Sequence, residues 1–284
     1  MARHGWVIRL AELIFDVGLH DGEDTAYYLA AGYDVVAIEA NPAKCEAAAE
    51  RFADEVAGGR LEIVNIAIAE APGVAEFWVS SRSEWSSLDR DNASKLGATA
   101  ALVTVPTMTF GELLSRHRTP VFVKLDVEGA DSLCVRELSA SEAPPAYVSF
   151  EWSLSFEWSD DQTAANIDVL AGAGYIGFKF LRQNDFREIT PRNIGRHELI
   201  RGAIASLPAG SIPFRILRGV YHHPRRIAGQ TFARGTSGPL PWQLPGQWWS
   251  AAEAKAVFSQ TLEERPRLAA LQDWFDIHAT RTSV

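Results

Sequence analysis

Apolar positions in the first two thirds of the chain fall into short runs separated by stretches of helical spacing. Leu13 to Val17 is an apolar run carrying one acid, Asp16, and reads as a buried strand. Thr25 to Ala31 predicts a short helix stopped by Gly32, and Asp34 to Glu39 predicts the next strand. Pro42 suits the first turn of a helix running to about Ala57, where Gly58 and Gly59 end it. Leu61 to Ala67 and Val74 to Val79 are two further strands, parted by the turn at Pro72-Gly73. Thr109, with Glu112 three residues on, is a capping box that opens a helix to about His117. Val121 to Asp126 then predicts a strand, Ala130 to Leu138 a helix and Tyr147 to Glu151 a strand. Asp161 to Ala173 predicts a helix, and Tyr175 to Leu181 a final strand. Strands alternating with helices imply an α/β fold, with a mostly parallel sheet covered on both faces.

After Leu181 this rhythm breaks. Residues 183–250 are rich in Pro, Gly and Arg and show little periodicity. Four of the nine Trp lie beyond residue 240, which points to a packed tail rather than a disordered one. Ser250 caps a predicted helix from Ala251 to about Glu264, and a last helix is predicted over Pro266 to His278. The chain therefore divides into a ligand-binding domain over residues 1–181 and a C-terminal extension over residues 182–284.

Composition adds exclusions. Of the 284 residues 47% are apolar and 22% charged, which excludes disorder and collagen-like repeats for the bulk of the chain. No window reaches the ~18 consecutive apolar residues of a membrane span. A net charge of −9 argues against a nucleic-acid partner of the ordinary basic kind. That total hides a split: residues 1–181 carry −15 and residues 182–284 carry +6. Cys45 and Cys134 have neither metal-ligand spacing nor a paired framework. The run Leu13-Ile14-Phe15 is too short for a signal-peptide core, so the expected compartment is cytoplasmic and thiol-reducing.

The chemistry starts where the first strand meets the first helix. Asp16-Val17-Gly18-Leu19-His20-Asp21-Gly22 has the spacing D-x-G-x-x-x-G. Gly18 lets the backbone turn sharply and approach a ligand, and Gly22 admits the next helix close to the strand. His20 fills the second Gly of the dinucleotide pattern G-x-G-x-x-G and would crowd a pyrophosphate. An acid two residues before Gly18 suits an ammonium group, so an amino-acid ligand fits better than a diphosphate. A tight turn with a purely structural role is the competing reading. Glu39 ends the second strand, where an acid typically takes the two ribose hydroxyls of an adenosine ligand. Adenosine joined to an amino acid describes S-adenosylmethionine.

Six elements in order resemble the FkbM family of S-adenosylmethionine-dependent methyltransferases. Phe15 to Thr25 resembles its D-V-G-x-x-x-G-x-x-T, and Glu39-Ala40-Asn41-Pro42 its E-x-N-P. Asn65 to Ala69 is similar to its adenine-contacting segment, and Trp85 to Leu88 to its S-S-L element. Val105 to Phe110 resembles its V-P-x-x-T-hydrophobe run, and Lys124 to Asp131 its K-I-D-V-E-G-A-E. His20 and Leu19 stand where the family commonly has Asn and Ala. The resemblance implies a Rossmann-like class I fold with a seven-stranded sheet. Residue by residue, it places Asp16, Gly18, His20, Gly22, Thr25, Glu39, Asn41, Ala67, Ser87 and Asp126 in the donor site. It also implies methyl transfer to a hydroxyl oxygen of a sugar, glycan or secondary metabolite.

Such a transfer needs an aligned acceptor and removal of its proton. Asp126 ends a core strand and has three open roles: orienting the donor, acting as base, or binding a divalent cation such as Mg²⁺. Glu151 is a second base or metal candidate, and His20 a third base candidate. No metal ligand set can be assigned from two acids. Glu128 reads equally as a helix cap, and Lys124 as the partner of an acid. His222-His223 reads as surface rather than catalysis. Trp152, Phe156 and Trp158 form either an acceptor wall or core packing. The serine-rich loop from Trp78 to Leu96 is a candidate lid, with Ser87 reading as a holder of the donor carboxylate. Two other classes of function remain: a non-catalytic adenosine-binding module, which the acids at 16, 39 and 126 oppose, and a nicotinamide oxidoreductase, which the missing G-x-G-x-x-G opposes. The arginines between Arg182 and Arg226 either dock on the acidic core, the favoured reading, or face an anionic acceptor.

Overall fold

The computed structural model describes residues 11–127, 129–153, 160–183, 186–190, 203, 206–208, 210–221, 226–227, 230–232, 236–263 and 274–283. The chain opens with β1 (Leu13–Val17), α1 (Glu23–Ala30), β2 (Asp34–Glu39), α2 (Pro42–Arg51), α3 (Ala53–Ala57) and β3 (Leu61–Asn65). β4 (Ala67–Ile68), β5 (Gly73–Ser80) and β6 (Ala100–Met108) form a small separate sheet, with α4 (Arg90–Ala93) between β5 and β6. Alternation resumes with α5 (Phe110–Ser115), β7 (Phe122–Leu125), α6 (Asp131–Ser139), β8 (Tyr147–Ser153), α7 (Asp160–Gly172) and β9 (Gly177–Arg182). Then follow β10 (Arg187–Glu188), α8 (Ile212–Tyr221), β11 (Arg226–Ile227), β12 (Gln230–Thr231), α9 (Ala251–Glu263) and β13 (Trp274–Thr280).

The main sheet has eight strands in the order β10-β9-β13-β8-β7-β1-β2-β3. β8, β7, β1, β2 and β3 run parallel, whereas β13 lies antiparallel between β8 and β9. Six of these strands were expected from the sequence; β13 takes a further place, the expected strand over Val74 to Val79 lies in the small separate sheet as part of β5, and the two-residue β10 adds an edge.

The helix expected over Pro266 to His278 is corrected by β13. Phe275, Ile277 and Ala279 enter one core cluster, while Asp276, His278 and Thr280 are buried on the opposite face. That is period-two alternation, the mark of a strand. The slot between β8 and β9 also presents unpaired backbone groups on both sides, which only a strand can satisfy. β13 comes from beyond residue 181, so the sheet is completed by the C-terminal part of the chain. β6 was not read as a strand, because much of its length is exposed or half-buried.

Each face of the sheet has its own core. Phe15, Val17, Leu125, Phe150, Phe180 and Ile277 pack with residues of α6, α7 and α9 on one side. Ile14, Tyr28, Val35, Phe122 and Leu181 pack on the other side with Phe186, Phe232, Leu240 and Leu244 of the tail. Tyr27 of α1 meets Phe232 edge-on with ring centroids 4.8 Å apart, and its hydroxyl donates to Gln243 Oε1. The tail is thus packed on the core, as the Trp and aromatic content implied.

Ile277 is fully buried at the centre of the added strand. Ile277→Ala is expected to cost about 2–5 kcal/mol in urea unfolding. An effect as small as that of truncating Ile176, which is 54% exposed, would contradict the burial of β13.

Candidate functional site

A cleft of about 780 Å³ opens at the carboxyl ends of β1, β2, β7 and β8. That lies within the ~300–1,000 Å³ of small-molecule sites. Its wall includes Gly18, His20, Glu39, Asn41, Ala67, Ser87, Asp126 and Glu151, all expected from the sequence. Asp16, Gly22 and Thr25 stand behind the wall and shape it.

Gly18 follows β1 with φ +94°, and a Cβ there would lie 2.0 Å from the Asp126 carbonyl oxygen. The turn after β1 therefore touches the end of β7, and only glycine permits this. Gly22 has φ +75° and leaves room for the Phe52 ring, 2.8 Å from where its Cβ would be. His20 also takes a left-handed φ of 49°. This aims its backbone N–H at Glu39 Oε2, 2.9 Å away. Glu39 Oε1 accepts from the N–H of Asn41 at 2.8 Å. Asn41 in turn caps α2 by accepting from the Ala43 N–H at 3.1 Å. Burial raises the Glu39 carboxyl above its ordinary value, while the two N–H donors oppose that rise.

Behind the turn lies a buried charge cluster. Lys124 Nζ sits 3.3 Å from Asp16 Oδ1, 3.4 Å from Asp24 Oδ2 and 3.3 Å from Asp126 Oδ2. Burial works against the ammonium charge, but the three carboxylates outweigh it and hold Lys124 well above its usual range. Asp16 is fully buried and its Oδ2 also accepts from Thr25 Oγ1 at 2.6 Å. Asp24 accepts from the N–H groups of Ser237 and Gly238, at 3.1 and 3.3 Å. Burial pushes the Asp24 carboxyl up to about 6, against the pull of Lys124.

The outer part of the cleft is framed by Asp126, Glu151, Gln183, Thr236 and Trp274. Asp126 and Glu151 directly follow the paired residues Leu125 and Phe150, so they sit at the ends of adjacent strands. Gln183 Nε2 donates to Glu151 Oε2 at 3.3 Å and to Asp276 Oδ1 at 3.1 Å. Burial pushes the Asp276 carboxyl up to about 8, with the Gln183 bond opposing. Asp24, Gln183, Trp274 and Asp276 were missed from the sequence. The alternation in Trp274–Thr280 was the available signal for the last two.

The His20 ring lies 2.7 Å from Ser83 Oγ at Nε2 and 3.3 Å from Asp21 Oδ2 at Nδ1, so both nitrogens are engaged on the Glu39 side of the turn. The lid candidate is pinned, since Trp78 and Ser87 exchange backbone hydrogen bonds and Trp85 is buried. Lys124 pairs with acids, as read. Trp152 is core, with ring centroids 4.7 Å from Phe258 and 5.3 Å from Phe275. Glu128, Phe156, Trp158, His222 and His223 lie outside the described residues. Arg182 is buried in β9, Arg187 is half-buried and Arg215 is exposed. Among the described residues no group of three or more His, Cys, Asp or Glu is placed to hold a metal ion. No described helix is long and apolar enough to cross a membrane.

A parallel sheet with an antiparallel strand inserted near one edge, a glycine turn after β1 and a carboxylate ending β2 define a Rossmann-like methyltransferase. The family model of the methyltransferase FkbM domain matches residues 16–176, and the chain belongs to that family. A search of curated proteins gives no match. Solved structures similar to the chain include a SAM-dependent methyltransferase from Thiobacillus denitrificans in complex with S-adenosyl-L-homocysteine. It is 9% identical with a TM-score of 0.35, over 96% of this chain and 86% of that one. The C-terminal domain of precorrin-6Y C5,15-methyltransferase from Rhodobacter capsulatus is 16% identical with a TM-score of 0.36, over 61% and 67%. Phosphoethanolamine N-methyltransferase 2 from Haemonchus contortus, in complex with S-adenosyl-L-methionine, is 10% identical with a TM-score of 0.38, over 97% and 50%. Identities this low carry nothing about the acceptor.

Asp276 gives a pH prediction. Its folded value of about 8 lies above the ordinary 3.8, so the native state holds this proton more tightly than the unfolded chain. The associated stability is complete at acid pH and is lost as pH rises through the folded value. Asp276→Asn keeps an acceptor for Gln183 and removes the titration. Urea unfolding should show the variant gaining on the wild type between about pH 4 and about pH 8 and the difference levelling off above that. A constant difference across that window would contradict a protonated Asp276.

Proposed function

We propose that the protein transfers a methyl group from S-adenosylmethionine to a hydroxyl oxygen of a sugar, glycan or secondary metabolite. The observation that carries this reading is the Glu39 carboxylate. It is fixed at the cleft by two backbone N–H groups, with lone pairs to spare for ribose hydroxyls. Ile66, Ala67 and Ile68 offer the adenine an apolar wall, and Ser87 a hydroxyl for the methionine carboxylate. Asp16 supports the turn from behind through Thr25 and Lys124.

S-adenosylmethionine, when bound, supplies a methyl group already activated on a sulfonium. The chain's task is to align the acceptor and take its proton. Asp126 is assigned that proton, because its backbone touches the donor turn at Gly18 while its carboxylate faces the cleft. Lys124 fixes the Asp126 carboxylate from below. Glu151 and Gln183 offer hydrogen bonds to further hydroxyls, and Trp274 an aromatic face to a sugar ring.

Calorimetry should detect S-adenosylmethionine binding and none of NAD; the reverse would sink the reading. Glu39→Ala should weaken donor binding by at least ~10-fold, the loss of one or two hydrogen bonds to a charged acceptor. An unchanged affinity would make Glu39 a bystander. With a panel of hydroxylated sugars and S-adenosylhomocysteine release as readout, Asp126→Asn should lower turnover by roughly 10²–10⁴ while donor binding stays within a few-fold. Turnover of the wild type that disappears with a chelator would move the role of Asp126 to cation binding.

A further inference from the structure

From Leu199 to Ala252 the sequence holds six Arg and not one acidic residue, in a chain whose net charge is −9. Helix α8 lies inside this stretch, with the sequence Ile-Pro-Phe-Arg-Ile-Leu-Arg-Gly-Val-Tyr. Ile212 is 72% exposed and Ile216 is 59% exposed. They stand four residues apart, hence on one helix face, and Arg215 is exposed beside them. Single exposed apolar residues need no explanation. Two bulky aliphatic side chains stacked on one face with Arg215 beside them are different: they combine apolar area with positive charge on a single helix.

We propose that α8 docks the protein on an anionic lipid surface. Ile212 and Ile216 would enter the boundary between headgroups and acyl chains, and Arg215 would face a lipid phosphate. A nucleic-acid partner would use the charge but leave the two isoleucines in water. A second copy of the chain would cover the isoleucines, but a symmetric pairing would set Arg215 against its own copy. Lipid satisfies both features together. The acid-rich remainder of the chain is repelled by the same surface, so contact through this segment is also oriented. The inference is independent of which hydroxyl accepts the methyl group.

The test is co-sedimentation of the full chain with vesicles of phosphatidylcholine, with and without phosphatidylglycerol. Binding is expected to the anionic vesicles and to weaken with added salt. Ile212→Ser with Ile216→Ser should reduce it by at least ~10-fold, given the aliphatic area withdrawn from lipid. Arg215→Gln should reduce it by roughly five-fold, the worth of one charge near an anionic surface. Circular dichroism and calorimetry with S-adenosylmethionine on the same variants report folding and donor binding separately from vesicle binding. No binding to anionic vesicles, equal binding to pure phosphatidylcholine, or full binding by the isoleucine variant would each overturn the proposal. So would a dimer in solution that the isoleucine variant dissolves.

Discussion

The Lys124 ammonium is the charge about which the molecule is arranged. It lies buried in β7, and its three carboxylate neighbours come from the end of β1, from α1 and from the end of β7. A buried charge is tolerated only where partners and hydrogen bonds surround it. Each partner here also has a second task. Asp16 holds Thr25 at the start of α1, Asp24 holds the backbone of Ser237 and Gly238, and Asp126 faces the cleft. The glycine turn after β1, the tail and the cleft edge at Asp126 are therefore all referred to one cation. Loss of Lys124 would leave three carboxylates confronting one another in a dry site, so its effect would spread well beyond β7.

The same cluster changes how the chain's charge is read. Burial pushes the Asp24 carboxyl up to about 6, which still leaves it largely an anion in the −15 of residues 1–181 at neutral pH. Asp276, from the tail, is pushed up to about 8 and is mostly neutral at physiological pH. A polar row continues from the cluster across the sheet. Lys124 is in register with Ser149, Ser149 with His278, and His278 with Lys179. Burial pushes His278 down to about 3, with the charge of Lys179 adding to the effect, so this imidazole is neutral. Lys179 is capped by the carbonyls of Pro241 and Leu244 and by the Trp248 ring, 4.3 Å from its Nζ. The tail therefore docks in part through backbone carbonyls on Lys179 of the sheet and backbone N–H groups on Asp24 of α1. Arg182, the one buried arginine among the described residues of the basic stretch, belongs to the sheet itself.

Much of this was legible in the sequence, for identifiable reasons. β1, β2 and β7 are buried on both faces and so read as apolar runs, interrupted by Asp16 in β1 and Lys124 in β7, that lead into an acid or a glycine. The motif residues Gly18, Glu39 and Asn41 act through backbone geometry and local hydrogen bonds, which spacing encodes directly. β13 was misread because its polar face, Asp276 and His278, is buried as well, and its neighbours in the sheet are remote in sequence. Gln183 was missed because an amide in an irregular stretch carries no pattern. Its importance comes from bridging Glu151 and Asp276, residues that only the assembled sheet brings together.

This difference in legibility follows the division of the cleft. Gly18, Glu39, Asn41, Ala67 and Ser87, the wall proposed for the donor, fall within the matched span of residues 16–176. Gln183, Thr236 and Trp274, on the proposed acceptor side, fall outside it. The antiparallel course of β13 is what permits this. It runs opposite to β8, so its first residue, Trp274, arrives beside Ser153 at the same edge where the parallel strands end. Under the proposed function, donor recognition is written into consecutive strand-helix units, and acceptor recognition rests on a tail that folds back over α1 and enters the sheet from the far end of the chain. The part of the sequence with least regular pattern is then the part where a change of acceptor can be accommodated without disturbing the Lys124 cluster, except through Asp24.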